Sequence, residues 1–369
     1  MITYRPPDEE APGGPGHVSP GGYRKLVSAA AALSVAGLGA GIAIGYGAFS
    51  GVTTTTTSTT ATAVSAVGAG LVDINTVLGY QTARAAGTGM VLTSTGEILT
   101  NNHVIEGATN ISVTDVGNGR TYRANVVGYD ASADVAVLEL VGASGLPTVP
   151  IGSSSNVSVG ESVIALGNAG GTGGTPKVAG GTVTALDQAI TAGDQGSARV
   201  EHLTGLIQTN VGIQPGDSGG SLIDPSGQVV GMNTAASSSN GLVSNTAAAR
   251  AYAIPIDTAI SIAHSIENGT TSSAIHLGST AFLGVEVATA SGPGGAQVAG
   301  VVSGSPATSA GLTAGDVITS VNGTTITSAT GLSAIMGQLP AGSDVSVSWT
   351  TTPGRSASAQ VHLGTGPAG

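Results

Sequence analysis

From about residue 85 onward, apolar residues fall in short runs separated by Gly-rich turns. Gly89-Met90-Val91-Leu92 leads through Ser94-Thr95-Gly96 into Glu97-Ile98-Leu99-Thr100, which predicts strand, turn, strand. Val126–Tyr129, Val135–Leu140, Ser162–Leu166 and Gln228–Met232 read as further strands, the last after a turn at Asp224-Pro225-Ser226-Gly227. Strands this short and evenly spaced predict antiparallel barrels. A seam is expected near 146–155, where Pro147 and Pro150 interrupt the pattern. Asp257–Asn268 instead has helical spacing, with Ile260, Ala263 and Ile266 on one side and a stop at Gly269. After a Ser/Thr-rich stretch at 270–280, a second small domain is expected over 280–365.

The N-terminal part has a different pattern. Residues 1–23 are rich in Pro and Gly, carry Asp8, Glu9 and Glu10, and read as a disordered tail. Arg24-Lys25 then precede the uncharged run Leu26–Ser50, and the next charge is Asp73. A bilayer core requires about 20 apolar helical residues, whereas a secretory h-region has about 7–15. One transmembrane helix acting as a signal anchor over 24–50 is therefore expected. The flanking positive charges predict a cytoplasmic N-terminus and an extracytoplasmic remainder. A cleaved signal peptide, with Ala61-Thr62-Ala63 as its site, is the alternative. Gly37, Gly41 and Gly45 form overlapping G-x-x-x-G steps that would permit close helix contact, although Ala/Gly-rich composition alone also produces such spacing. Residues 51–69, nearly all Thr, Ser and Ala over 53–63, read as a linker whose composition also suits mucin-like glycosylation.

Composition narrows the chemistry. The 369 residues include 60 Gly and are 40% hydrophobic, 8% charged and 3% aromatic. That is too apolar for a wholly disordered chain, and the glycines lack the period of collagen. A net charge of −11 argues against nucleic-acid binding. The absence of Cys excludes thiol catalysis, Cys-based zinc sites and disulfides, while leaving the compartment open.

The strongest chemical signal is Gly216-Asp217-Ser218-Gly219-Gly220, a Ser between glycines where backbone N–H groups can converge. It also fits the strand–turn–helix elbow of α/β-hydrolases, which would make the protein an esterase. That elbow needs an acid and then a His after the Ser. Here Ser221–Ile223 and Val229-Val230 look like a hairpin, and an acid and a His precede Ser218. His103 ends the strand of Leu99–Ile105, and Asp134 opens that of Val135–Leu138. Taken singly, each is more often a cap or turn residue. His17 and His202 join no constellation.

In order, Thr100-Asn101-Asn102-His103-Val104, Asp134–Leu138 and Ile207–Gly220 resemble the three catalytic blocks of the HtrA/Deg serine proteases, with Gly87-Thr88-Gly89 also fitting. Asp217 stands where many members carry Asn. The resemblance covers about 70–365 and implies a mainly β, two-barrel chymotrypsin-like protease domain over 70–270. It implies His103 as general base, Asp134 as its orienting acid and Ser218 as nucleophile. The backbone N–H groups of Gly216 and Ser218 would form the oxyanion hole, on a loop that in this family can be misfolded at rest. Gly212 would sit at the P1 pocket, and Asn233, Thr234 and Ala235 would pair with substrate. With no acid at 212, a small apolar P1 residue is expected.

Residues 280–365 resemble a PDZ domain. Phe282-Leu283-Gly284-Val285 looks like its carboxylate-binding loop, and Ser305-Pro306-Ala307, Ala310-Gly311-Leu312 and Gly315-Asp316-Val317-Ile318 match its ordered pattern. The N–H groups of Leu283, Gly284 and Val285 would hold a peptide C-terminus, with Leu332–Leu339 as the opposite wall. The side chains of Phe282 and Leu283 also suit a core cap. The resemblance implies an ATP-independent endopeptidase acting on misfolded or regulatory proteins, without metal or cofactor, and a trimeric homo-oligomer. A PDZ chaperone or adaptor with an idle protease site is the alternative.

Overall fold

The apolar run Val135–Leu138 has no polar residue between its hydrophobic ones, which implies a strand buried on both faces. The computed structural model describes residues 55–78, 83–192, 201–236, 250–270, 272–288, 294–352 and 354–368. The expected tail over 1–23 and anchor over 24–50 lie outside them. Among the described residues no helix is long and apolar enough to cross a membrane.

The described chain opens on a helix, α1 (Thr55–Ala69), within the segment expected as an unpatterned linker. Thr and Ser have no strong helix preference, and no apolar stripe marks the segment. Packing decides: Val67 is fully buried in the core, with Val64 against it. The chain then runs through β1 (Leu71–Leu78), β2 (Ala83–Val91), β3 (Glu97–Thr100), α2 (Asn102–Ile105), β4 (Asn110–Asp115), β5 (Thr121–Asp130) and β6 (Val135–Leu140). These strands pair in the order β5-β4-β1-β2-β3-β6, and β6 returns to β5 to close a first barrel. A second closed barrel follows, from β7 (Ser162–Gly167), β8 (Lys177–Ala192), β9 (Glu201–Thr209), β10 (Ser221–Ile223), β11 (Val229–Ala236) and β12 (Ala251–Pro255). Helix α3 (Ile256–Glu267) starts one residue before its expected position. Strand β13 (Ile275–Leu277) then pairs with β5.

The two-sided burial is visible strand by strand. Ile98, Ala136 and Leu138 fill the first barrel. Their neighbours Leu99, Val135 and Val137 point the other way, into a cluster shared with Ile223, Val229 and Met232 of the second barrel and Ile256, Ala259 and Ala263 of α3. Leu222 and Val230 turn into the second barrel instead. Each fully buried aliphatic side chain contributes about 1.5–3 kcal/mol of hydrophobic stabilisation. The barrels are therefore joined by a core, so loops at their junction sit on a rigid base.

The C-terminal unit contains β14 (Ala281–Phe282), β15 (Val285–Val287), β16 (Ala296–Val301), α4 (Pro306–Ala310), β17 (Val317–Val321), β18 (Thr324–Thr325), α5 (Ala329–Met336), β19 (Asp344–Thr350), β20 (Ser356–His362) and β21 (Gly364–Thr365). Its sheet runs β15-β16-β17-β19-β20 around a separate core that includes Trp349. Helix α5 begins three residues before the expected Leu332–Leu339 because Ser328 caps it, its hydroxyl accepting from Gly331 N at 3.0 Å. The chain end ties back to the first barrel: Ala368 N donates to Ala108 O and Gly107 N to Ala368 O.

One charge arrangement strains this fold at high pH. Glu97 of β3 lies directly across from Glu139 of β6. Burial first, and then the approach of Glu267 at the end of α3, push the Glu97 carboxyl up to about 8 from 4.5. The folded chain thus keeps a proton that the unfolded chain releases near pH 4.5, so the stability it contributes is full below 4.5 and lost as pH rises through about 8. Glu97→Gln is expected to raise Tm at pH 9 by about 2–4 °C, the shift that 1 kcal/mol produces in a domain of this size. At pH 4 it should leave Tm unchanged. Calorimetry from pH 4 to 9 checks this, and parallel pH profiles for the two proteins would contradict it.

Candidate active site

His103 lies on α2, the short turn that follows β3, and Asp134 lies on the turn before β6, whose first residues pair with the end of β3. Strand pairing thus brings together residues 31 positions apart. Asp134 has φ +55° and is fully buried. Asp tolerates this left-handed conformation better than most residues. The amide of Asn101 holds it there, Nδ2 donating to Asp134 O at 2.9 Å.

The carboxylate of Asp134 is fully engaged. Oδ1 accepts from the backbone N of His103 at 3.0 Å, and Oδ2 lies 2.9 Å from His103 Nδ1. Oδ2 also accepts from Thr234 Oγ1 at 2.6 Å, from the second barrel. These bonds fix the ring with Nδ1 toward the acid. The His103 side chain is 25% exposed and that of Asp134 0%, so the imidazole is open to solvent while the carboxylate is not.

Ser218 sits in the turn between β9 and β10. Its hydroxyl donates to Thr234 O at 2.8 Å. Thr234 thereby touches Ser218 with its carbonyl and Asp134 with its hydroxyl. A β-bulge makes both possible: the β11–β12 register shifts between Asn233 and Ala235, leaving Thr234 without a direct partner. Asn233, expected to pair with substrate, has a structural side chain, Nδ2 donating to Ser221 O at 3.1 Å. Ala235 continues β11 with its backbone.

The turn itself is held from the first barrel by Thr88, which is buried. Its hydroxyl donates to Gly216 O at 2.7 Å and accepts from Asn168 N at 2.8 Å. Its backbone N donates to Ser218 O at 2.8 Å, and its carbonyl accepts from Thr100 Oγ1 at 2.7 Å. Among the described residues, no acceptor meets the N–H of Gly216 or of Ser218. Two donors thus flank the Ser218 turn. Gly219 (φ +83°) is indispensable, because a Cβ there would collide with Thr88 O and Thr100 Oγ1. Gly212 lines a cavity of ≈ 290 Å³ behind the turn, together with Gln214 and Asp217.

In the C-terminal unit, Gly284 has φ +83°, and a Cβ there would collide with Ser305. Gly284 O accepts from Val302 N, and Leu283 O from Ala307 N. The Leu283 side chain is 4% exposed and belongs to the core, so only its backbone is available to a ligand. Val285 opens the edge strand β15.

The sequence motifs named His103, Asp134 and Ser218, and the fold joins His103 to Asp134 directly and Asp134 to Ser218 through Thr234. The roles of Thr88, Thr100 and Asn168 were not visible. The nearest signal was Gly87-Thr88-Gly89, whose flanking glycines let the strand approach Val104 and Ile98.

A family model described as "Trypsin-like peptidase domain" matches residues 87–232, and one described as "PDZ domain" matches 281–351. The chain is 36% identical over 310 residues to "Serine protease PepD" of Mycobacterium tuberculosis, covering 80% of this chain and 63% of that protein. It is 32% identical over 271 residues to "Periplasmic serine endoprotease DegP" of Salmonella typhimurium, covering 71% and 54%. It thus spans between half and two thirds of these relatives' lengths. Among solved structures, "HtrA-type protease AlgW with tripeptide" matches at 29% identity with a TM-score of 0.48, covering 84% of this chain and 98% of that one. The chain thus carries a trypsin-like peptidase domain with a PDZ domain after it, and the relatives it matches are named serine proteases.

Proposed function

We propose that the protein is a serine endopeptidase that uses His103, Asp134 and Ser218 to cleave misfolded or regulatory proteins, and that its PDZ domain binds peptide C-termini. The observation that carries this reading is the continuous link His103–Asp134–Thr234–Ser218 across the barrel junction, beside two unengaged N–H groups. The Ser218 hydroxyl turns from Thr234 O toward His103, which takes its proton as Oγ attacks the scissile carbonyl. The oxygen of the tetrahedral intermediate enters between Gly216 N–H and Ser218 N–H. His103 then protonates the leaving amine, and water repeats the cycle to release the acyl group. Asp134 stabilises the imidazolium throughout. Gly212, with open space around it, leaves room for a side chain at P1, for which a small apolar residue is the proposal.

A fluorophosphonate probe tests the reading directly. Labelling of the full-length protein should place the adduct on the peptide that carries Ser218. An adduct on another residue, or none in protein that cleaves casein, overturns it.

Thr88→Val is expected to lower kcat about 10²-fold, as loss of one oxyanion donor does, with KM little changed. Valine leaves Gly216 O and Asn168 N buried without a partner, so the donor turn loses its anchor. Thr88→Ser, which keeps the hydroxyl, should recover most of the activity. Equal losses in both variants would show that shape, not the hydroxyl, matters.

At the PDZ domain, the backbone around Leu283, Gly284 and Val285 would take the terminal carboxylate while the peptide adds as a strand beside β15. Residues 26–50 would anchor the protein, placing both domains outside the cytoplasm, with a trimer as the proposed assembly. Full-length protein should stay with membranes through an alkaline wash; its release would contradict a spanning anchor.

A further inference from the structure

A strand at the end of a sheet leaves one row of backbone N–H and C=O groups without a strand partner. In the C-terminal unit that strand is β15, which among the described residues pairs with β16 alone. Side chains alternate along a strand. Val285 and Val287 pack against the core of the unit, so Glu286 between them stands on the opposite face, and it is exposed. Directly across the sheet lies Gly300, which has no side chain to meet it. Among the described residues no cation pairs with the Glu286 carboxylate.

The other acids of the unit are engaged. Asp316 is 2% exposed, and its Oδ2 accepts from Thr313 N at 2.9 Å. Asp344 Oδ1 lies 2.9 Å from His362 Nδ1. Glu286 is also the one charged residue in the segments that would form the peptide groove, residues 281–287 and the opposite wall at 328–339. An uncommitted charge thus sits on the row where a peptide would pair, in surroundings that are otherwise neutral.

The register follows from the pairing. With the terminal carboxylate on the N–H groups of Leu283, Gly284 and Val285, the last residue of an antiparallel peptide lies opposite Val285. The residue before it lies opposite Glu286. Directly opposite residues project to the same face, with Cβ atoms about 4.5–5.5 Å apart. The penultimate side chain therefore stands beside Glu286 on the solvent face, outside the apolar groove. We infer that the PDZ domain selects peptide C-termini whose penultimate residue is Lys or Arg, and that Glu286 is the residue that reads it. The inference rests on the proposed capture of peptide C-termini. Both members of the pair keep contact with water, so the selection is modest and depends on salt.

Fluorescence anisotropy with the full-length Ser218→Ala protein, which leaves the probe uncut, tests it. Three labelled peptides are compared, identical except for Arg, Ala or Glu before a C-terminal Val. The Arg peptide should bind about 3–10-fold tighter than the Glu peptide, with the Ala peptide between, as expected for opposite against like charges across a strand pair. In the same background Glu286→Lys should invert the order, and Glu286→Gln should bring the three within about twofold. Raising NaCl from about 0.05 to 0.5 M should shrink the spread. Equal affinities for the three peptides with Glu286 in place overturn the inference and leave that charge as a guard against edge-to-edge pairing. A preference for Arg that survives in Glu286→Gln overturns Glu286 as its reader. A C-terminally amidated Arg peptide separates this inference from the reading beneath it. Amide binding as tight as that of the free acid, or no binding by any peptide, overturns the carboxylate capture and the inference with it. Weak amide binding beside equal affinities for the three acids overturns the inference alone.

Discussion

Ser218→Ala is expected to lower kcat for casein or peptide cleavage by about 10⁶, the loss that follows when the nucleophile of a serine protease is removed. Nothing near Ser218 can replace it. The adjacent hydroxyls are committed elsewhere, Thr234 Oγ1 to Asp134 and Thr88 Oγ1 to Gly216. The variant loses one hydrogen bond, from Ser218 Oγ to Thr234 O, worth about 1 kcal/mol net. Its Tm should fall by no more than a few degrees. Substrate should still bind with a KM near that of the parent protein, because the pocket and the two N–H donors remain. Steady-state kinetics checks the prediction, and turnover within tenfold of the parent would remove Ser218 from the chemistry and leave the adaptor reading.

Asp134→Asn is the second large effect, a fall in kcat of about 10⁴ with KM little changed. The substitution keeps the volume and reverses the hydrogen bonding. The carboxylate accepts from His103 N, from His103 Nδ1 and from Thr234 Oγ1. An asparagine amide offers one accepting oxygen where three donors converge. If that oxygen serves His103 N and Thr234, the NH₂ group faces Nδ1 and turns it into the acceptor. The ring then carries its proton on the nitrogen that should receive one from Ser218. Because Asp134 is fully buried, solvent cannot offset the mismatch. A loss below tenfold would indicate that the carboxylate orients the ring only weakly.

Much of the architecture could be read along the chain. Val135–Leu138 announced its strand through an uninterrupted apolar run, because residues on both faces enter cores. Helix α3 announced itself through Ile260, Ala263 and Ile266, whose spacing matches a single helical face on the shared cluster. Other elements left no such mark. The Thr-rich α1 has no helical stripe, and among the described residues Val67 is its one fully buried apolar side chain, with Val64 packed beside it. The long β8–β9 hairpin carries three register shifts between Val183 and Ile190, which break the alternation by which a strand is recognised.

The order and identity of His103, Asp134 and Ser218, the glycines beside Ser218, and the PDZ pattern after residue 280 were all decided by the sequence, because tight turns such as those at Gly219 and Gly284 demand particular residues at short spacing. The geometry of the site belonged to the tertiary structure. Thr88 meets Gly216 across 128 positions and Thr234 meets Asp134 across 100, and no local pattern encodes a hydrogen bond between such distant residues. A threonine in a strand reads as an ordinary β-branched residue until the second barrel closes over it. Only then does its hydroxyl have one place to donate, and the turn it holds one conformation to adopt.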